Sequence, residues 1–155
     1  AIMNELRVHQ FKGLITKKKL FETVAKFLSE GEGPTFSRIL DSLNARERLG
    51  STCIGKGIAI PHCKLAIDSP RAVILILDEA VKYADECMPD VDIVFGLLVP
   101  EDNSDQHLHI LSSIANLCER EGWLEGLRSL ATEQDIINYL TTGASSLDAS
   151  LVDIL

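Results

Sequence analysis

Two uninterrupted apolar runs set the terms for any fold of this chain. Ala72-Val73-Ile74-Leu75-Ile76-Leu77 and Val91 to Val99, the second closed by Pro100, are of strand length and rich in β-branched residues. A strand with one wet face alternates apolar and polar side chains; these runs hardly alternate, so they predict strands covered on both faces. The covering helices are legible as well. Lys17 to Leu28 carries Leu20, Phe21, Val24, Phe27 and Leu28 at helical spacing. Glu30-Gly31-Glu32-Gly33-Pro34 stops that helix. Thr35 to Asn44 predicts a second, with Phe36, Ile39, Leu40 and Leu43 inward. Asp102 to Asp105 supplies N-caps for a third through Arg120, presenting Leu108, Leu111, Ile114, Ala115 and Cys118 on one side. Trp123, Leu124, Leu127 and Leu130 predict a short helix after Gly122. Thr132 opens a last one, which buries Ile136, Ile137 and Leu140. Leu6, Val8 and Phe11 predict a short opening strand, and His9 within it reads as surface. Asp78 to Pro89 reads as a polar connection with a short edge strand around Val81 to Tyr83. Buried strands with amphipathic helices on either side make the expected fold class α/β, a three-layer α/β/α sandwich.

The chain's 155 residues, 46% of them hydrophobic, amount to one domain, 1–155. Ala1-Ile2-Met3 reads as a cloning scar ahead of a native Met3, and 143–155 as a flexible tail that Leu147 and Leu151 would let form a helical turn or two. A formal net charge of −8 argues against nucleic acid or an anionic membrane as main partner and favours partners with a basic face. No start resembles a secretory signal and no apolar run reaches membrane-spanning length, so a cytoplasmic protein without membrane insertion is expected. Cys53, Cys63, Cys87 and Cys118 are dispersed with no C-x-x-C pair; free thiols and no metal site are the expectation.

Gly50 to Leu65 concentrates the chemistry. It reads Gly-Ser-Thr-Cys-Ile-Gly-Lys-Gly-Ile-Ala-Ile-Pro-His-Cys-Lys-Leu. Glycines at this density let backbone N–H groups approach an anion, and Pro61 fixes the direction in which His62 leaves the segment. The segment reads as a histidine presented beside an anion-friendly loop, or as a turn with an incidental histidine. Gly50, Gly55 and Lys56 fit the start of a nucleotide-binding phosphate loop, but Gly57 stands where a Ser or Thr belongs, and no strand precedes or helix follows. That reading fails. Arg46 and Arg48 just upstream fit either a solvated face or a phosphate clamp. His107 and His109 stand two positions apart at a predicted helix start, so at most one of them reaches a given site.

Arg46-Glu47-Arg48-Leu49-Gly50-Ser51-Thr52 followed by Ile54-Gly55-x-Gly57-Ile58-Ala59-Ile60-Pro61-His62 resembles the signature of phosphotransferase-system EIIA domains of the fructose/mannitol type. It is most like the nitrogen-regulatory branch, EIIA-Ntr. The similarity continues through Val91 to Pro100 and His107-Leu108-His109-Ile110-Leu111-Ser112. Cys53 and Cys63 depart from it, standing where the family usually has glycine. The resemblance implies a mixed sheet between helices and a bacterial phosphocarrier. His62 would be phosphorylated on Nε2 by a phosphohistidine carrier of the HPr type, or its nitrogen counterpart NPr, which carries the group on Nδ1. His107 would be the second active-site histidine and Arg46 the phosphoryl clamp. Ser51, Thr52, Gly55 and Gly57 would form the phosphoryl-binding loop. No cofactor is implied, the phosphoryl group coming ultimately from phosphoenolpyruvate. Regulatory targets such as potassium transport proteins or sensor kinases would be the downstream partners. Three alternatives stay open. One is a free-standing sugar-specific EIIA that passes phosphate to an EIIB. Another is a non-catalytic binding module on the same fold. The third is a thiol or metal role for Cys53 and Cys63.

Overall fold

The chain's computed structural model describes residues 6–102 and 104–141. The expectations for the scar at 1–3, for Asn103 and for the tail at 143–155 fall outside those residues. Among the described residues there are strands β1 (Leu6–Phe11), β2 (Cys53–Gly55), β3 (Ile58–Ala59), β4 (His62–Leu65), β5 (Arg71–Val81) and β6 (Val91–Pro100), with two helices between β1 and β2 and three after β6. The helices are α1 (Lys17–Leu28), α2 (Phe36–Arg48), α3 (Ser104–Glu119), α4 (Trp123–Arg128) and α5 (Glu133–Thr141). Among the described residues the strands form one mixed sheet in the order β1-β5-β6-β3-β2, and β4 also pairs with β6.

The two apolar runs are the sheet's centre. β5 and β6 lie antiparallel, Ile74 opposite Phe95, and β1 joins the far edge of β5 in parallel. β3 and β4 share the other edge of β6, both parallel to it, Ile58 opposite Ile93 and His62 opposite Leu97. Side chains two apart point to the same face. Ile74, Ile93, Phe95, Leu97 and Val99 therefore meet α3, α4 and α5. Val73, Leu75, Val94 and Leu98 meet Leu20, Val24 and Leu28 of α1 and Ile39 and Leu43 of α2. The expected three layers are present.

The helix boundaries follow their capping chemistry. The Thr16 hydroxyl accepts the Lys19 N–H at 3.1 Å, and the Thr35 hydroxyl accepts that of Arg38 at 3.2 Å. Thr132 likewise accepts the Asp135 N–H at 3.0 Å. α2 runs a turn past the predicted end, carrying Arg46 on its last turn.

Four expectations are corrected. Phe36 is 39% exposed, because the first turn of α2 overhangs an open cleft shared with His9, Phe11 and Phe27 instead of the sheet. Leu108 is 60% exposed, and α3 presents His107, Ile110, Ile114, Leu117 and Cys118 inward. Treating His107 as polar aligns the apolar stripe on the wrong residue. Val81 ends β5 opposite Val91, so no separate edge strand forms there; Tyr83 is buried in the β5–β6 connection. His9 is half-buried, its ring 5.1 Å from Phe27 and its Nδ1 3.5 Å from Glu133 Oε2.

Gly96 of β6 marks the closest approach of α1 to the sheet. A Cβ there would meet Val24 Cγ1 at 2.5 Å and Val73 Cγ1 at 2.9 Å, both on β-branched side chains with little freedom to retreat. Gly96→Ala is expected to destabilise the protein by about 1–3 kcal/mol. Urea unfolding would read this as a fall in midpoint at unchanged slope, with Glu86→Ala at an exposed position as the neutral control.

Candidate active site

A break in the second edge of β6 creates the site. β3 and β4 would be one strand, but Pro61 between them has no N–H to donate. The Pro61 carbonyl still accepts from Leu97 N at 3.0 Å, so the chain stays in register across the interruption. Ile60 turns away, its N–H donating to Thr52 O at 2.9 Å. Its carbonyl lies 2.7 Å from His62 Nδ1. A carbonyl can only accept, so Nδ1 carries the proton and Nε2 keeps a free lone pair. Strand parity then directs His62 to the α3 face, the face opposite Cys63 and Leu65.

His107, the buried histidine of α3's first turns, meets it there. The ring centroids are 4.9 Å apart with the planes tilted 50°. The side chains are nearly enclosed, His62 6% and His107 8% exposed. Burial lowers the pKa of His62, and the Arg46 and Lys64 charges add to that, outweighing the hydrogen bond to Ile60. Burial, then His62, Lys64 and Arg46, push that of His107 down to about 4. At neutral pH both imidazoles are uncharged. His109 is exposed and takes no part in the pair.

A cavity of about 320 Å³ opens onto His62, walled by Arg46, Ser51, Thr52, Cys53, Ile54 and Ile60 with Leu111, Ser112 and Ala115 of α3. The Arg46 guanidinium is held by Nη1 donating to Gly50 O at 2.8 Å, which leaves its other donors available. Thr52 is placed differently from a phosphoryl donor. Its N–H and hydroxyl both donate to Glu47 Oε1, at 3.1 and 2.6 Å, so the Tyr83 hydroxyl donates to Thr52 Oγ1 at 2.7 Å. Lys17 Nζ completes the network, 2.9 Å from Glu47 Oε2 and 4.5 Å from the Tyr83 ring centroid. Burial raises the Glu47 pKa, but hydrogen bonds from Thr52, Lys17 and Ser51 prevail and hold it below 4.5. Thr52 thus anchors the wall, while Ser51 keeps a hydroxyl beside the cavity.

Gly55 and Gly57 are absent from that wall. With Lys56 they form the β2–β3 turn, at φ of 90°, 58° and 80°. A Cβ on Gly57 would strike Arg128 Nη2 and Asp92 Oδ1, each at 2.9 Å. Arg128 grips Asp92 through two bonds of 2.8 and 2.9 Å and the Lys56 carbonyl at 2.6 Å. Glycine is needed at 57 for this clasp, a packing reason that the sequence pattern does not separate from anion binding.

The expectation of four free thiols is also corrected. Cys53 and Cys87 form a disulfide, Cα atoms 6.0 Å apart, while Cys63 and Cys118 are free and buried. Their sequence separation of 34 hides the pairing; only the folded β5–β6 connection carries Cys87 back to the wall. In the chain-entropy picture a crosslink of that span stabilises by roughly 4 kcal/mol. The site also draws in Glu47, Tyr83, Lys17 and Cys87, for which sequence reasoning assigns no role. Glu47 sits inside the signature, but Tyr83 and Cys87 lie in a polar connection with no pattern to mark them.

Comparison with known proteins defines the class. Residues 2–143 match the family described as phosphoenolpyruvate-dependent sugar phosphotransferase system, EIIA 2, and the chain belongs to it. Within it, the chain is 40% identical over 122 residues to a nitrogen regulatory protein of Pseudomonas aeruginosa, covering 77% of this chain and 79% of that one. The crystal structure of nitrogen regulatory protein IIA-Ntr from Neisseria meningitidis superposes with a TM-score of 0.77 at 28% identity, covering 87% of this chain and 92% of that one. The fold is shared with IIA mannitol of Escherichia coli at a TM-score of 0.70 and 19% identity, covering 86% and 94%.

The two depressed imidazole pKa values have a thermodynamic consequence. Below the ordinary value of 6.5 the unfolded chain binds protons that the native state refuses, so stability is full above 6.5 and falls as pH drops towards about 4. Glu47, held below 4.5, adds loss only at lower pH. Thermal melts from pH 7.5 to 4 are expected to show this decline, and His107→Asn to flatten it. An unchanged slope in that variant would contradict the buried neutral state of His107.

Proposed function

We propose that the protein is a cytoplasmic phosphocarrier of the nitrogen-regulatory branch, taking a phosphoryl group on His62 and signalling by its phosphorylation state. The observation that carries this reading is the bond between His62 Nδ1–H and Ile60 O. It leaves Nε2 as a neutral nucleophile on a cavity walled by Arg46 and Ser51, with the His107 ring packed against that of His62. The donor is an HPr-like or NPr-type phosphohistidine carrier. Its N–P bond breaks as the bond to His62 Nε2 forms, in line, with charge spread over the equatorial oxygens. Catalysis is then positioning and charge stabilisation, which needs no resident cofactor.

Arg46 offsets the phosphoryl charge, and Ser51 donates a hydrogen bond to an oxygen. His107, neutral beforehand, donates its N–H, and the arriving negative charge favours its protonation. After transfer the Nδ1–H bond to Ile60 persists, so the phosphoimidazole stays oriented. Exposed Ile54 on the cavity wall offers apolar surface for the carrier. Among the described residues no helix is long and apolar enough to cross a membrane. Similarity to nitrogen regulatory proteins favours regulatory targets, such as potassium transport proteins or sensor kinases, over delivery of the group to an EIIB.

The test is phosphoenolpyruvate-dependent labelling through purified general enzymes and carriers of both the sugar and the nitrogen type, read by intact mass. One acid-labile phosphoryl group on His62, arriving faster from the nitrogen-type carrier, is expected. His62→Ala should take none and Arg46→Ala should label roughly a hundredfold more slowly. Labelling from the sugar-type carrier alone would move the reading to transport, and labelling from neither would overturn it.

A further inference from the structure

The cavity wall contains a group that the phosphoryl chemistry does not use. Ser51, Thr52 and Cys53 are consecutive lining residues, and each is tied to the β5–β6 connection. Ser51 Oγ lies 3.2 Å from Cys87 Sγ, Thr52 Oγ1 lies 2.7 Å from the Tyr83 hydroxyl, and Cys53 is bonded to Cys87. The third tie is covalent and reversible. We propose that Cys53–Cys87 is a thiol–disulfide exchange site for dithiol reductants, and that its oxidation state sets how fast His62 takes up a phosphoryl group. The consequence for His62 rests on the phosphocarrier reading; the exchange chemistry does not.

The two sulfurs differ in access. Cys53 is partly exposed on the open cavity, whereas Cys87 is 3% exposed. An external thiolate therefore attacks Cys53 Sγ. The S–S bond breaks, its electron pair leaves on Cys87 Sγ, and the neighbouring Ser51 hydroxyl can donate to that thiolate. The second thiol of the reductant then displaces Cys53 from the mixed disulfide. In total the protein disulfide gains two electrons and two protons, and the dithiol becomes a disulfide. A small-molecule disulfide such as oxidised glutathione reverses the exchange, leaving as two thiols.

The other cysteines do not compete. Burial pushes the Cys63 and Cys118 thiols up to about 11, and neither touches the cavity. Beside a reducing thiol pool a disulfide of this kind is characteristically transient. With the bridge closed, Ser51 Oγ is held in position beside the cavity, and its hydrogen has only to rotate from its resting acceptor to the phosphoryl oxygen. With it open, the 51–55 wall keeps only its hydrogen bonds, and placing that donor costs activation free energy.

Two measurements test the proposal. Protein denatured without reductant should accept alkylation at two cysteines, and at four if the folded protein was first treated with dithiothreitol. Peptide mapping should join the Cys53 and Cys87 peptides. Labelling by the phosphocarrier chain, with reductant removed beforehand, should run roughly threefold or more slower for the reduced protein. It should recover after oxidised glutathione. Cys53→Ser/Cys87→Ser should label at the reduced rate and ignore dithiothreitol; if that variant fails to fold, reversible reduction of the wild type decides. Four alkylations without reductant, or no change on dithiothreitol, overturns the exchange site. Equal labelling rates overturn its control of His62. Absence of labelling in both states overturns that control along with the phosphocarrier reading, while the alkylation count still decides the chemistry.

Discussion

Strand β6 is hydrogen-bonded along both edges, and almost everything else in the protein is arranged around that fact. One edge takes β5, and through it β1. The other takes β3 and then β4, two short pieces of what would otherwise be one strand. Because both faces of β6 are also covered from Ile93 onward, that stretch carries no polar side chain, and the apolar run is the result. The only place where chemistry can enter such a sheet without breaking β6 is at a fault in a neighbour. Pro61 makes that fault. The Ile60 carbonyl beside it fixes the His62 tautomer, so the orientation of that imidazole is set by the backbone at the interruption.

Electrostatics of the site are organised by burial more than by charge pairing. Two imidazoles 4.9 Å apart would repel if both were protonated, and the enclosed position lowers the pKa of each. The cationic Arg46 works in the same direction, and so holds His62 in the neutral state that the proposed transfer requires. Glu47 pulls weakly the other way, but its carboxylate is occupied by Lys17 and Thr52. It serves as the floor of the loop, with Tyr83 closing the network from the β5–β6 connection. The disulfide reinforces the same junction from the other side.

Much of this architecture is legible in local pattern and propensity. The two buried strands, the extent of α1, the Thr132 cap and the prominence of Pro61-His62 all follow from them. The misplacements have separate causes. Aligning a helix stripe by polarity puts Leu108 inward and leaves His107 no core position, whereas the buried face of α3 includes a histidine. Spacing alone puts Phe36 inward, since it cannot show that a helix end overhangs its neighbour. Glycine density puts Gly55 and Gly57 at the anion site, because it signals close approach without saying what approaches. In the fold it is the Arg128–Asp92 pair that approaches Gly57.

The amino-acid sequence by itself determined the layer order, the family and the prominence of His62, because these rest on short-range periodicity, on proline's missing donor and on a contiguous signature. Only the tertiary structure decided which partners converge on that histidine. His107 reaches it across the sheet face, Glu47 and Tyr83 lock the wall from two different elements, and Cys87 pairs with Cys53 over 34 positions. Such contacts are set by strand register and helix docking. Neither leaves a periodic trace in the residues that make them.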